Sequence, residues 1–292
     1  MITSTIYNTA FDNLIRNHSA IDRSALTEGY QTTDDSYLVP VGGNSDYTEA
    51  IKRENLFRRY GTVISGGKVN GIVQTVTSTA HAALVPDLQA YPEDGDTFSS
   101  RSFSSYKLAV LSKLRNTFLS DMHFDATGYL NNEFARRFGR AEENIFLNGS
   151  GEGEPTGLLT TAEIGVTTAD PTAITADEII ALFLSVKPEY RRNGVWLMND
   201  ETTLWLRTLK DKSGGYLWRH TDDTIFGKAV VISPYMPNMG TRTLPIAFGD
   251  LSFYWILIRQ HLSVKLLTEL FAEYCMTGYA ASERLDGMLI RS

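Results

Sequence analysis

Gly149, Gly151, Gly153 and Gly157 fall in one short stretch with a spacing that superficially suits a phosphate-binding loop. Such a loop follows a strand, opens a helix and presents its backbone N–H groups to an anion. Here the run follows a helical pattern, and no Lys-Ser or Lys-Thr comes after it. A flexible hinge between two regions is the better reading. The five histidines (His18, His81, His123, His220 and His261) form no metal pair at helical spacing, and none adjoins Cys275. There is no Gly-x-Ser-x-Gly elbow. His220 with Asp222 and Asp223 reads as a solvated loop before a cation site. Cys275, alone, reads as a small buried hydrophobe rather than a nucleophile. Glu142-Glu143 are neighbours on a helix, so they diverge instead of sharing a site. No catalytic, cofactor-binding or metal-ligating residue is assigned, and no cofactor is expected. A hydrolase or nucleotide-dependent enzyme stays only as a less favoured alternative.

The remaining charged clusters suit recognition. Arg136, Arg137 and Arg140 crowd the polar side of one helical pattern, while Glu93, Asp94 and Asp96 cluster in a turn. Arginine suits bidentate carboxylate pairing at interfaces. Pairing of these six residues between copies of the chain is the expected subunit contact. A nucleic-acid patch is the other reading of the arginines.

The elements that must position these groups are legible in part. The 292 residues allow one large domain or two small ones, and an apolar fraction of 42% supplies a core. The net charge of −7 argues against a general nucleic-acid binder. One cysteine precludes an intrachain disulfide. No run has the apolar length of a membrane span, so no membrane partner is expected.

Residues 1–48 are polar and read as an arm ordered mainly by neighbours, with a short helix at 6–15 and a loop at 27–35. Residues 47–60 read as one helix. Residues 69–83 and 97–114 read as the strands of a long hairpin whose turn, 86–96, is acidic. A ribbon of that length needs a partner surface. The strongest helix is 121–147, where Leu130, Phe134, Phe138, Ala141 and Ile145 make one apolar stripe. Asn148-Gly149 end it, both tolerant of the left-handed conformation of helix caps. Thr175-Ala176-Asp177-Glu178 is a capping box. Pro188 kinks or ends the helix that follows. Val195 to Met198 is a short buried strand, Asn199 caps a helix through Leu209, and Gly214-Gly215 turn the chain. Residues 246–290 are mostly strand. Trp196, Trp205, Trp218 and Trp255 read as core rather than ligand stackers.

Several blocks resemble the major capsid proteins of tailed bacteriophages, the Hong Kong 97-like family. They begin with Ser36-Tyr37-Leu38-Val39-Pro40, then the helix end with Pro155-Thr156-Gly157-Leu158-Leu159. Trp196-Leu197-Met198-Asn199, Leu209-Lys210-Asp211, Gly215-Tyr216-Leu217-Trp218 and Phe226-Gly227-Lys228-Ala229-Val230 follow. Met236-Pro237, Ala247-Phe248-Gly249-Asp250 and Glu283-Arg284-Leu285-Asp286-Gly287 complete the series in family order.

The resemblance implies an α+β chain with the Hong Kong 97-like capsid fold: N-arm, extended E-loop β-hairpin, P-domain with a long spine helix, and mixed α/β A-domain. The arm would be residues 1–50 and the E-loop 69–107. The P-domain would comprise 51–68, 108–159 and 250–282, with the spine helix near 125–147. The A-domain would take 160–249 and 283–292, with residues 216–226 lining a ring axis. The implied function is self-assembly into pentamers and hexamers of an icosahedral head shell around double-stranded DNA, bound without sequence preference. The implied partners are further copies, a portal, and scaffolding or protease proteins, and the implied site of assembly is the host cytoplasm. An encapsulin-like compartment shell and a tail component are the rival structural readings. Any scaffolding segment of the family would precede residue 1 or have been removed. Some members join subunits through a lysine near the E-loop tip. Residues 69–106 lack lysine, Tyr91 stands near that place, and Thr268 and Cys275 fall near the expected asparagine and glutamate. No isopeptide crosslink is expected.

Overall fold

The computed structural model describes residues 5–16, 26, 37–38, 46–65, 72–78, 84–85, 97–121, 125–211, 213–218 and 223–291. The 86–96 turn with Glu93, Asp94 and Asp96, the 27–35 loop, and His220 with Asp222 lie outside them.

The helix α1 (Thr5–Ile15) precedes the short strand β1 (Tyr37–Leu38), then α2 (Asp46–Glu54), α3 (Leu56–Tyr60) and β2 (Thr62–Ser65). The expected single helix at 47–60 is thus two. Asn55 breaks it with extended backbone, and its side-chain oxygen accepts from the N–H groups of Phe57 and Arg58.

Strands β3 (Ile72–Ser78) and β4 (Thr97–Ser102) form a separate two-stranded antiparallel ribbon. The second strand of the expected hairpin does not run unbroken to residue 114. Phe103 turns inward against Leu257 and Ile290, and Ser104 N–H donates to Asp286 at 2.5 Å. The chain then enters the main sheet as β5 (Tyr106–Arg115). Along β5 the alternate residues Tyr106, Leu108, Val110 and Leu114 face inward, as their spacing predicts.

After α4 (Asn116–Leu119), the dominant helix α5 (Ala126–Asn148) runs 23 residues, about 35 Å. Asp125 caps it by accepting from Gly128 N–H. Its C-terminal cap differs from expectation: Gly149 has φ −57°, not the left-handed region. Glycine is needed there for space, since a Cβ would meet the carbonyls of Pro155 and Ile145. The following turn is a built one, with Ser150 bridged to Thr156 and its N–H and hydroxyl donating to Glu154.

Next come α6 (Leu158–Thr161), α7 (Ala176–Ser185), α8 (Pro188–Arg191), β6 (Val195–Met198), α9 (Asp200–Thr208), β7 (Thr224–Ile225), β8 (Lys228–Ile232) and β9 (Ile246–Gly249). The Thr175 capping box and the Asn199 cap form as read. Helix α7 ends at Ser185, and Pro188 opens α8, where its missing N–H costs nothing. Long strands β10 (Tyr254–Leu267) and β11 (Met276–Leu289) close the chain.

The main sheet has the order β1-β10-β11-β5, antiparallel throughout, with β2 added parallel to β10. Helix α5 packs across it: Leu130, Phe134 and Phe138 share a core with Leu262, Val264, Tyr279 and Ala281. The arm helix does not wait for neighbours. Tyr7, Phe11, Leu14 and Ile15 bury themselves in that same core, and Tyr279 donates its hydroxyl to Ile15 O. Four large side chains supply enough apolar area to fix α1 in place.

The second sheet, β7-β8-β6-β9, has its own core around Trp196, Met198 and Trp218. A third cluster, with Phe57, Phe146, Leu147, Val195, Leu197, Tyr254 and Ile256, joins the two sheets beside the end of α5. Trp205 is the tryptophan that departs from a core reading: it is partly exposed, with its indole N–H on Ile174 O. Cys275 is exposed too, in a left-handed turn before β11, so it is no buried hydrophobe.

Candidate subunit interface and the buried charges beneath it

Helix α5 carries three carboxylates and three arginines, and the fold separates them by sign. Glu133, Glu142 and Glu143 are buried, with 9%, 0% and 6% exposure. The side chains of Arg136, Arg137 and Arg140 are about half exposed, at 50%, 43% and 58%.

Glu142 and Glu143 do not diverge into solvent. Glu142 receives Arg58 through two bonds, Nε at 2.8 Å and Nη2 at 2.6 Å, and Asn55 Nδ2 at 2.8 Å. Asn55 therefore caps α3 with its oxygen and holds the spine with its nitrogen. Glu283 of β11 approaches the same guanidinium at 3.7 Å. Glu143 accepts from Leu56 N–H at 3.1 Å and from Ser233 Oγ, just past β8, at 2.6 Å. One carboxylate thus ties α5 to α3, and its neighbour ties α5 to the second sheet.

Burial opposes the charge on Arg58, but Glu142 outweighs it and keeps the guanidinium protonated. Burial, and then the nearby charge of Glu142, push the Glu283 carboxyl well above the usual carboxylate range despite Arg58. Its Oε1 has no hydrogen-bond partner among the described residues. A protonated Glu283 leaves the pair Arg58–Glu142 balanced. Burial also raises Glu143 and lowers His261, the latter aided by Arg58.

The outer face has a different character. Arg136 and Arg137 both reach Glu133 at 2.6 Å, and Arg140 reaches Glu54 at 3.3 Å. The two arginine bonds hold Glu133 below its ordinary value although burial opposes them. The i,i+4 pair Glu133–Arg137 is the one the spacing predicts. The arginines of the expected interface lie together on one face. Their three acidic counterparts are outside the described residues, so the contact between the two sets remains a proposal.

Between α2, α3 and α5 runs a groove of about 560 Å³, walled across from α3 by Pro234 and Tyr235. A smaller hollow of about 240 Å³ continues it along α2 and α5, with Arg53 and Glu54 common to both. The helices approach closely because residue 139 is glycine: a Cβ there would sit 2.9 Å from that of Glu54. Exposed apolar side chains stand elsewhere, including Tyr216, Leu217 and Phe226 near the β7–β8 hairpin, and Leu270 and Tyr274 beyond β10.

The groove and junction were not legible as such in the sequence, but one signal was present. Leu130, Phe134, Phe138, Glu142 and Phe146 form an unbroken four-residue ladder, all buried. A glutamate on a core ladder requires a buried partner. No three His, Cys, Asp or Glu side chains among the described residues are grouped to hold a metal, and no described helix is long and apolar enough to cross a membrane.

A model of the phage capsid family matches residues 35–292. Among solved structures, the capsid of a native GTA particle computed with C5 symmetry is 24% identical, with TM-score 0.67, over 92% of this chain and 96% of that one. A chain of Microbacterium phage Oxtober96 is 21% identical with TM-score 0.54, covering 93% of each. A chain of Mycobacterium phage Bobi is 14% identical with TM-score 0.59, also over 93% of each. These likenesses establish the fold. Among curated proteins, none matches the sequence.

Proposed function

The chain belongs to the phage capsid family and is a major capsid protein of the head shell; from that premise we propose that its copies form pentamers and hexamers that close into an icosahedral shell around double-stranded DNA. The observation that carries the reading is the β3–β4 ribbon, a two-stranded pair that joins neither sheet and exposes Ile72. An isolated ribbon is marginal in water, and a sibling surface can complete it. Rings arise when one patch meets a different patch on the next copy and the rotation closes.

Within this function, residues 69–107 serve as the E-loop and residues 1–50 as the N-arm. Residues 51–68, 108–159 and 250–282 serve as the P-domain, and 160–249 with 283–292 as the A-domain. Glu93, Asp94 and Asp96 of one copy meet the basic face bearing Arg136, Arg137 and Arg140 of the next. Residues 216–226 line the ring axis. Portal and scaffolding or protease proteins complete the head in the host cytoplasm, and the enclosed DNA is held without sequence preference. The role is structural and needs no catalytic step.

Electron microscopy of the expressed chain tests this. Closed particles with five- and six-fold clusters are expected. Particles filled with an enzyme cargo and free of DNA point instead to a compartment shell, and a chain that never associates removes the proposal.

A further inference from the structure

Six exposed cations border the α2–α3–α5 surface of an acidic protein, and they are not equivalent. Arg136 and Arg137 are engaged by Glu133, and Arg140 by Glu54. Lys52, Arg53 and Arg59 form no ion pair among the described residues, and all three line the larger groove. The carboxylates on its wall, Glu54 and Glu143, are held by Arg140 and by Leu56 N–H with Ser233. The groove therefore presents unmatched positive charge beside an apolar wall of Tyr60, Ile232, Pro234 and Tyr235.

The chain carries a segment of matching chemistry. Residues 69–100 hold Asp87, Glu93, Asp94 and Asp96 and no lysine or arginine, with Tyr91-Pro92 directly before the acidic run. We propose that the groove receives the acidic segment around residues 91–96 of a second copy, with Lys52, Arg53 and Arg59 as the main determinants and Arg136 and Arg137 in a secondary role. This rests on the reading that the chain builds a shell from copies of itself. Carboxylates meet the cations on the rim, and Tyr91-Pro92 lies on Tyr60, Pro234 and Tyr235. Because the groove is formed by α2 and α3 on one side and by the segment after β8 on the other, an occupant braces the two sheets against each other. A DNA duplex is a convex rod that would touch the rim charges and gain nothing from the apolar wall. The groove therefore favours a peptide.

Two measurements test this. In the first, a labelled peptide of residues 86–100 is titrated into the whole chain carrying Glu93→Lys, Asp94→Lys and Asp96→Lys, so that the chain's own segment does not compete. Binding should weaken about tenfold or more on adding Lys52→Glu, Arg53→Glu and Arg59→Glu, and only about twofold with Arg136→Ala and Arg137→Ala. Equal binding by the groove variant overturns the proposal. So does a duplex oligonucleotide that occupies the groove when the peptide does not. In the second, shells are counted by electron microscopy. Groove reversal alone should abolish them with the melting temperature unchanged, and adding the tip reversal in the same chain should restore them. Normal shells from the groove variant overturn the proposal. If the unaltered chain forms no shells yet the peptide binds as described, the assembly reading fails and the groove stands.

Discussion

Glu142 and Lys52 lie on neighbouring helices, and the regions around them use charge in opposite ways. Around Glu142, every strong hydrogen bond is made within one chain: Arg58, Asn55 and, through Glu143, Leu56 and Ser233 are all committed. Around Lys52, cations stand on a groove rim with no ion pair among the described residues. Burying a charge is costly unless its partner is fixed, so the first region specifies the geometry of the subunit. Exposed charges contribute little to stability, and that lets the second region be shaped for a partner without weakening the fold.

The comparison breaks most sharply at the junction. Glu142→Ala leaves Arg58 buried without its main partner, and should destabilise the chain by about 3–5 kcal/mol in denaturant unfolding. An effect near that of a surface substitution would mean the junction does not organise the subunit.

Glu283→Gln should act in the opposite direction. The carboxyl of Glu283 is raised in the folded chain, so the folded state holds a proton that the unfolded state releases above the ordinary glutamate range. Stability from this group is full below that range and falls as pH rises toward the folded value, by about 1.4 kcal/mol per pH unit. The amide removes that loss, so the variant should gain over the parent between pH 5 and 8, with the two converging near pH 4. A constant difference across that window would show that Glu283 does not titrate abnormally.

Away from both regions, Thr175→Ala should cost about 1 kcal/mol by removing a reciprocal cap on α7, read by the same unfolding measurement. At the small end, Arg136→Ala should change stability by no more than about 0.5 kcal/mol, since Arg136 is half exposed and Arg137 still holds Glu133. Shells boiled in denaturant should run as single chains on a gel, since residues 69–106 hold no lysine for a crosslink at their tip. Covalent ladders would contradict that.

What the sequence disclosed follows from the range of the forces involved. Caps at Thr175 and Asn199, the stripe of α5 and the strand Val195–Met198 are local patterns, and each appears as read. The break at Asn55 was missed because a polar residue inside a helical period looks like a surface position until Glu142, distant in sequence, arrives to meet it. The division of the 97–114 strand was missed for a similar reason: Phe103 turns inward to meet Leu257 and Ile290, far along the chain. For the candidate interface, the arginine row was visible in the spacing. The unmatched set at Lys52, Arg53 and Arg59 was not, because which cations are already paired depends on three-dimensional neighbours.

A reconstruction of an assembled particle, resolved to side chains, tests the central claim most directly. The Arg58–Glu142–Glu283 junction should be the same as in the single chain, with residues 91–96 of an adjoining copy lying between α2 and Pro234–Tyr235. A groove left open to solvent, or a junction rebuilt on assembly, would contradict the account.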